Sequence, residues 1–323
     1  MKTSEELVMS FLSICQKENI NYAIARNYEN YPYFDHDLDI FCSPKDYQDL
    51  KNILLGLISI EWDYYKEELS YTGSSFEDQN VNCLKIFNSS NNSFLQVDFF
   101  YGLTFFGLNH INIESILEMK IFDAEKKFYR VNKELEMYYR TFQIASRYSA
   151  EGKTEKLTSY AQSWMSFFSD KTKFNFKFSI ISDEDFNSLN MFLQNNNFDK
   201  YLSLVRFIKL CFVLKRFIQF PISSFLRFSQ RCKGILREYF TKPSGINLYY
   251  DGDINESVKE QLNFFTKIKV IPGWGQKELL SLTQRIKLRE RGGVILVNKS
   301  NTTNLQDISK QDFKHFLLAR IYN

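Results

Sequence analysis

Apolar residues recur at helical intervals over residues 4–17, where Leu7, Phe11, Leu12 and Cys15 share one face. A short apolar run at 21–27 then reads as a strand, and DLDIFC, 37–42, reads as another. Between them YENYPYFDH, broken by Pro32, has the composition of a turn. Ser43-Pro44 supplies an N-cap followed by proline at the first helical position, so a helix is expected to about Ile58. Strand-like segments follow near 62–69, 81–87 and 94–101, with NSSNNS as a hairpin-type connection. From about Asn112 to Phe168 the pattern is mainly helical, with a strand pair within 122–131 and helices over 132–149 and 154–168. KTKFNFKFSI (171–180) alternates like a strand and equally suits an irregular link, and 183–241 reads as helices interrupted by Pro221.

Past Lys242-Pro243-Ser244-Gly245 the pattern changes. A strand at 245–250, a DGD turn, a helix at 254–265, a strand at 268–272, a helix leading into a further strand at 291–299 and a last helix at 310–321 alternate. Such alternation predicts an α/β unit with parallel strands. The expected class is α+β overall, with a mixed sheet and helices in 1–130, a helical region in 131–241 and a small α/β region in 242–323.

The length of 323 residues suits two or three such units, and a hydrophobic share of 44% is enough to build real cores. The net charge of +3 creates no demand for a nucleic-acid partner. Cys15, Cys42, Cys83, Cys211 and Cys232 are scattered without metal-site or disulfide spacing. The opening residues read as an amphipathic helix rather than a signal peptide, and no apolar run approaches the ~18–20 residues of a membrane span. A reducing cytoplasm is the expected setting.

The candidate chemistry begins at Asp37 and Asp39. Residues two apart in a strand project to the same face, so these carboxylates stand together while Leu38 and Ile40 face the other way. Like charges this close resist ionising together, and a divalent cation removes that cost. Mg2+ prefers a few carboxylates plus phosphate oxygens. Asp98 is the sole acid in the apolar run FLQVDFF, where an unpaired carboxylate is costly. Three acids from neighbouring strands could hold two Mg2+ or Mn2+ ions.

With these residues in view, 20–101 resembles the nucleotidyltransferase superfamily of polymerase-beta-like fold. YAIARNYENYPYFDHDLDIFC is most similar to the branch found in bacterial surface-polysaccharide gene clusters. The resemblance implies that Asp37 and Asp39 ligate both metals. It implies that Asp98 ligates one and helps deprotonate an acceptor hydroxyl. It implies a nucleoside triphosphate donor and a sugar, sugar phosphate or lipid-linked glycan acceptor. Arg26-Asn27 stands where that family usually has phosphate-cradling glycines, and the planar fork of Arg26 suits phosphate. Lys85, the one charged residue of NCLKIFN, reads as a triphosphate partner or as a solvent-facing lysine. His36 beside the motif reads as a turn residue. A non-catalytic binding protein derived from such an enzyme, and a transferase acting on RNA or protein, are the rival readings.

KPSGINLYYDGDINESVKEQL resembles the strand–loop–helix phosphate site of a thymidylate-kinase-like domain. Asp251-Gly252 fits that pattern. Ile254 and Asn255 replace its glycine and lysine, and Glu256 and Ser257 fall at its hydroxyl pair. RGGVILVNK is similar to that family's strand, with Asn298-Lys299 at its end. This reads as a degenerate remnant of a phosphate-loop kinase.

Residues 201–237 contain Arg206, Lys209, Lys215, Arg216, Arg227, Arg231, Lys233 and Arg237 and no Asp or Glu, with Phe, Leu, Ile and Val between. Two readings are open: peripheral contact with an anionic membrane surface, or packed helices with a basic outer face joining two regions. Single-stranded nucleic acid is disfavoured, because the aromatics are mostly Phe at core-like spacing.

Overall fold

The computed structural model describes residues 3–34, 37–58, 64–70, 81–88, 93–105, 108–145, 154–168, 179–229 and 232, together with three strands beyond them. Helix α1 (Ser4–Lys17) starts at a capping box. The Thr3 hydroxyl accepts from the Glu6 amide while the Glu6 carboxylate accepts from the Thr3 amide. Strands β1 (Tyr22–Ile24) and β2 (Asp37–Cys42) follow, then α2 (Pro44–Ile58), whose first turn is closed by Ser43 accepting from the Asp46 amide at 3.1 Å. Next come β3 (Tyr64–Ser70), β4 (Val81–Asn88) and β5 (Ser93–Phe100).

A hairpin that the sequence pattern does not predict comes next, β6 (Gly102–Phe105) with β7 (Leu108–Asn112). Gly102 opens it at φ +138°, where a Cβ would meet the Ile111 carbonyl oxygen at 2.8 Å. Helix α3 (Ile113–Glu118) leads to the expected strand pair, β8 (Lys120–Asp123) and β9 (Phe128–Val131).

The main sheet is mixed and seven-stranded, in the order β3-β4-β5-β2-β1-β9-β8. β2 runs parallel to β5 at its centre and antiparallel to β1. One face packs on α1 and α2, with Leu38 and Ile40 meeting Leu7, Phe11, Leu50 and Leu54. The opposite face carries Ala23, Phe41 and Phe100 into a second cluster shared with the helices that follow.

Those helices are α4 (Lys133–Tyr139), which runs into a π-type turn at Arg140–Ile144, then α5 (Thr154–Phe168), α6 (Asp183–Gln194) and α7 (Phe198–Gln219). Of the helix expected over 132–149, residues 133–144 are helical, first α-type and then π-type, and 146–149 lie outside the described residues. The run from 183 is broken at Asn195–Asn197, where Asn196 takes a positive φ, as well as at Pro221. Among residues 171–180, Ser179 and Ile180 are neither helix nor strand, and the rest lie outside the described residues.

A separate sheet, described by itself, contains β10 (Ile246–Tyr250), β11 (Lys269–Ile271) and β12 (Val294–Asn298) in the order β10-β12-β11. Both pairings are parallel, as the alternating pattern predicts. The helices expected between these strands lie outside the described residues.

Candidate metal centre and adjoining cleft

The parallel pairing of β2 with β5 sets Asp39 directly beside Asp98, and Asp37 beside Gln96. Paired neighbours project to the same face, so one side of the sheet centre carries all three acids. One oxygen from each of Asp37, Asp39 and Asp98 lies within 4.8 Å of the others. Asp39 forms the floor, almost without exposure, whereas the Asp37 side chain is 36% exposed at the rim. On the far side of Asp98, Cys83 of β4 is its direct partner, and Lys85 faces Gln96 one step along. Gln96 Nε2 donates to both Asp98 oxygens, at 3.2 and 3.1 Å.

Burial pushes the Asp37 carboxyl up to about 8, with the charges of Asp39 and Asp98 adding to it and Arg26 opposing. Burial likewise raises Asp98 to about 6, helped by Asp39 and opposed by Cys83, Gln96 and Lys85. Two carboxyls, Asp37 and Asp98, that resist ionising beside a third acid mark a site that would gain from further positive charge. The donor set is all oxygen, which suits a hard cation such as Mg2+ or Mn2+. Asp37 Oδ1 is buried and has no hydrogen-bond partner among the described residues, as a ligand atom for an ion would be.

The raised acids predict a pH dependence. A folded carboxyl that holds its proton above its unfolded pKa stabilises the fold fully at low pH and loses that contribution as pH rises through the folded value. The metal-free chain should therefore melt at lower temperature at pH 8.5 than at pH 5.5, other groups aside. A divalent ion competes with those protons, so its stabilising shift should be larger at pH 8.5. Thermal melts with and without Mg2+ at the two pH values check this. A Mg2+ shift that is larger at pH 5.5 counts against these acids as the ligands.

Arg26 departs from expectation. Its guanidinium does not stand open for phosphate but bridges the acid pair, Nε donating to Asp39 Oδ2 and an NH2 group donating to Asp37 Oδ2 at 2.7 Å. Burial works against its charge, but Asp39 and then Asp37 hold it protonated. Tyr139 at the end of α4 also donates to Asp39 Oδ2, at 3.3 Å. Asn27 adopts φ 62°, ψ 18°, the left-handed conformation a glycine takes most readily. Asparagine is among the few side chains that visit it routinely, so the turn keeps its shape without glycine.

The loop after Asn27 is tied down. The Tyr28 hydroxyl hydrogen-bonds to fully buried Glu136. Glu136 also pairs with Arg140 at 2.6 Å and Lys133 at 3.1 Å, and Lys133 reaches Glu29 at 2.7 Å. A buried carboxylate with three partners is a satisfied one. This network fixes the Arg26-Asn27 turn against α4.

Beyond Arg26 opens a cleft of about 350 Å3, lined among others by Arg26, Asn27, Arg140, Lys156, Ser159 and Ser163. Arg26 thus touches the acids on one side and the cleft on the other. Pattern reading missed Arg140, Lys156, Ser159 and Ser163. The signal was the spacing of Lys156, Ser159, Tyr160 and Ser163, a polar stripe at i, i+3, i+4 and i+7 on α5.

Lys85 shares the face of the acids and is near enough to Asp98 to lower its pKa. His36 and His315 lie outside the described residues. His110 is half-buried, stacked on Phe105 and bonded to the Tyr138 hydroxyl at 2.6 Å, with its pKa driven down to about 3 by desolvation and then by Arg216. It is a neutral packing residue. Comparison of the chain with protein-family models, curated proteins and solved structures gives no match.

Proposed function

We propose that the chain is a divalent-metal-dependent nucleotidyltransferase, or a related phosphoryl-group transferase, of polymerase-beta-like type. The observation that carries the reading is the convergence of Asp37, Asp39 and Asp98 from two paired strands, with a buried carboxylate oxygen that has no partner among the described residues. These three would hold Mg2+ or Mn2+. Such ions, when bound, stabilise charge on a transferring phosphoryl group and make a hydroxyl a better nucleophile. The chain's own residues do the rest. Lys156, Ser159 and Ser163 offer the donors for a triphosphate in the cleft beside the acids. Asp98, beside Asp39 on the same face, would take a proton from the acceptor hydroxyl, the role the sequence resemblance implies. The sequence resemblance puts a sugar, sugar phosphate or lipid-linked glycan of cell-surface polysaccharide synthesis in the acceptor role. The three parallel strands fit the view of residues 242–323 as a degraded phosphate-loop kinase region.

A second reading draws on Arg26. A guanidinium already bridging two carboxylates supplies the positive charge an ion would bring. The chain would then be a non-catalytic binding protein built on a transferase fold. The two readings separate in one experiment. Purified chain with Mg2+ or Mn2+, a nucleotide panel and a panel of sugar and glycan acceptors should release pyrophosphate with one pairing. Lys156→Ala should raise the KM for the nucleotide about tenfold, the loss of one charge-assisted contact, with little change in kcat. No heat of metal binding with any nucleotide would leave the binding-protein reading standing.

A further inference from the structure

Helix α7 is apolar on both sides. Its inner face, with Tyr201, Leu202, Val205, Ile208 and Val213, is buried against the core. The opposite face carries Phe207, Leu210, Leu214 and Ile218 at i, i+3, i+7 and i+11, all exposed, with Ile218 81% accessible. Past Pro221 the chain continues helically, and Ile222, at 77%, and Phe225 extend the exposed apolar surface. A helix that is hydrophobic all round calls for a cover on its second face.

Charge decides what kind. By helical geometry Arg206 and Lys215 fall on opposite flanks of the Phe207–Leu214–Ile218 stripe, and both are exposed. Arg227 continues the series on the next helix, and residues 201–237 hold no acid. Among the described cations of this stretch Lys209 differs. It is buried, and its ammonium donates to the Phe142 carbonyl at 2.8 Å, which removes it from the surface set. Beside the stripe lies a groove of about 560 Å3 that includes Ile180, Ile181 and Phe212 among its lining, where Lys215 and Arg216 outnumber the one acid, Asp185.

We propose that this face lies on an anionic lipid bilayer, with the stripe and Ile222 and Phe225 entering the acyl boundary and Arg206, Lys215 and Arg227 meeting phosphate headgroups. Apolar residues flanked by cations with no interspersed acid is the layout of an interfacial helix. A second copy of the chain is a poor cover, because a two-fold contact would set these cations against their own equivalents. Residues 242–323 are also a poor match, with 13 Lys and Arg against 8 Asp and Glu. No helix among the described residues is long and apolar enough to cross a membrane, so the contact is peripheral.

The test uses the full chain with Cys232→Ser, which leaves exposed Cys211 as the labelling position, since Cys15, Cys42 and Cys83 are buried. A polarity-sensitive fluorophore on Cys211 should shift to the blue with vesicles containing phosphatidylglycerol, and not with phosphatidylcholine alone. In unlabelled chain, Arg206→Gln and Lys215→Gln should each weaken co-flotation about fivefold, as loss of one cation near such a surface implies. Ile218→Glu with Phe225→Glu should abolish it with an unchanged melting temperature, both sites being exposed. Asp39→Asn should bind vesicles like the wild type, so failure here is distinct from failure of the proposed activity. No vesicle binding, or equal binding to neutral vesicles, overturns the proposal. So does light scattering that shows a dimer dissociated by Ile218→Glu, which would make the cover a second copy.

Discussion

Asp39→Asn should slow pyrophosphate release about a thousandfold, the several kcal/mol a bound cation contributes to such a transfer. Asp39 is the position from which the site is organised. It is the most buried of the three acids, it sits beside Asp98 in the ladder, and it accepts from both Arg26 and Tyr139. Asparagine keeps the shape and can still accept those bonds through its carbonyl, but it removes the charge that a cation needs. Far-ultraviolet circular dichroism and a melt establish that the variant is folded, and calorimetry should show its Mg2+ binding lost. Activity within tenfold of the wild type in a folded variant would remove these acids from the chemistry.

Arg26→Ala should cost the metal-free chain about 3–5 kcal/mol, the usual penalty when one partner of a buried ion pair is deleted. The cost arises because Asp39 is left buried beside Asp37 and Asp98 with its nearest cation gone. Mg2+ should then raise the Tm of the variant more than that of the wild type, because the ion supplies the charge that the guanidinium provided. Arg26→Lys should recover only part of the loss, since one ammonium does not reproduce a fork with Nε on Asp39 and NH2 on Asp37. Denaturant melts with and without Mg2+ read both effects. An Arg26→Ala chain as stable as the wild type without metal would show that the bridge contributes nothing to holding the acids.

The local parts of this architecture were legible because local physics sets them. Ser43-Pro44 announces α2, and the two-residue spacing of Asp37 and Asp39 dictates a shared face. Asp98 stood out as one charge in an apolar strand, and the β2–β5 pairing makes it a neighbour of Asp39. What escaped depends on tertiary contacts. GLTFFGLNHI carries no turn pair of the usual hairpin kind, so its pattern gives no signal for β6 and β7. The run after Asp183 hid its break because Asn195–Asn197 is short and polar, like a helix surface. The role of Arg26 depends on partners 11 and 13 residues further on, in a different strand. Lys156 enters the cleft only because α5 packs back beside the Arg26 loop.

Asn27 has a consequence for how the site meets a ligand. A glycine at a left-handed position leaves the unfolded chain many conformations, and a loop built of glycines has correspondingly more freedom to lose. Here the position carries a Cβ, and the residues after it are anchored to α4 through Tyr28 and Glu136. The entropy of shaping this loop is given up once, when the chain folds, rather than at each encounter with a phosphate. The turn is a preorganised receptor surface, with its geometry set before anything arrives to be bound.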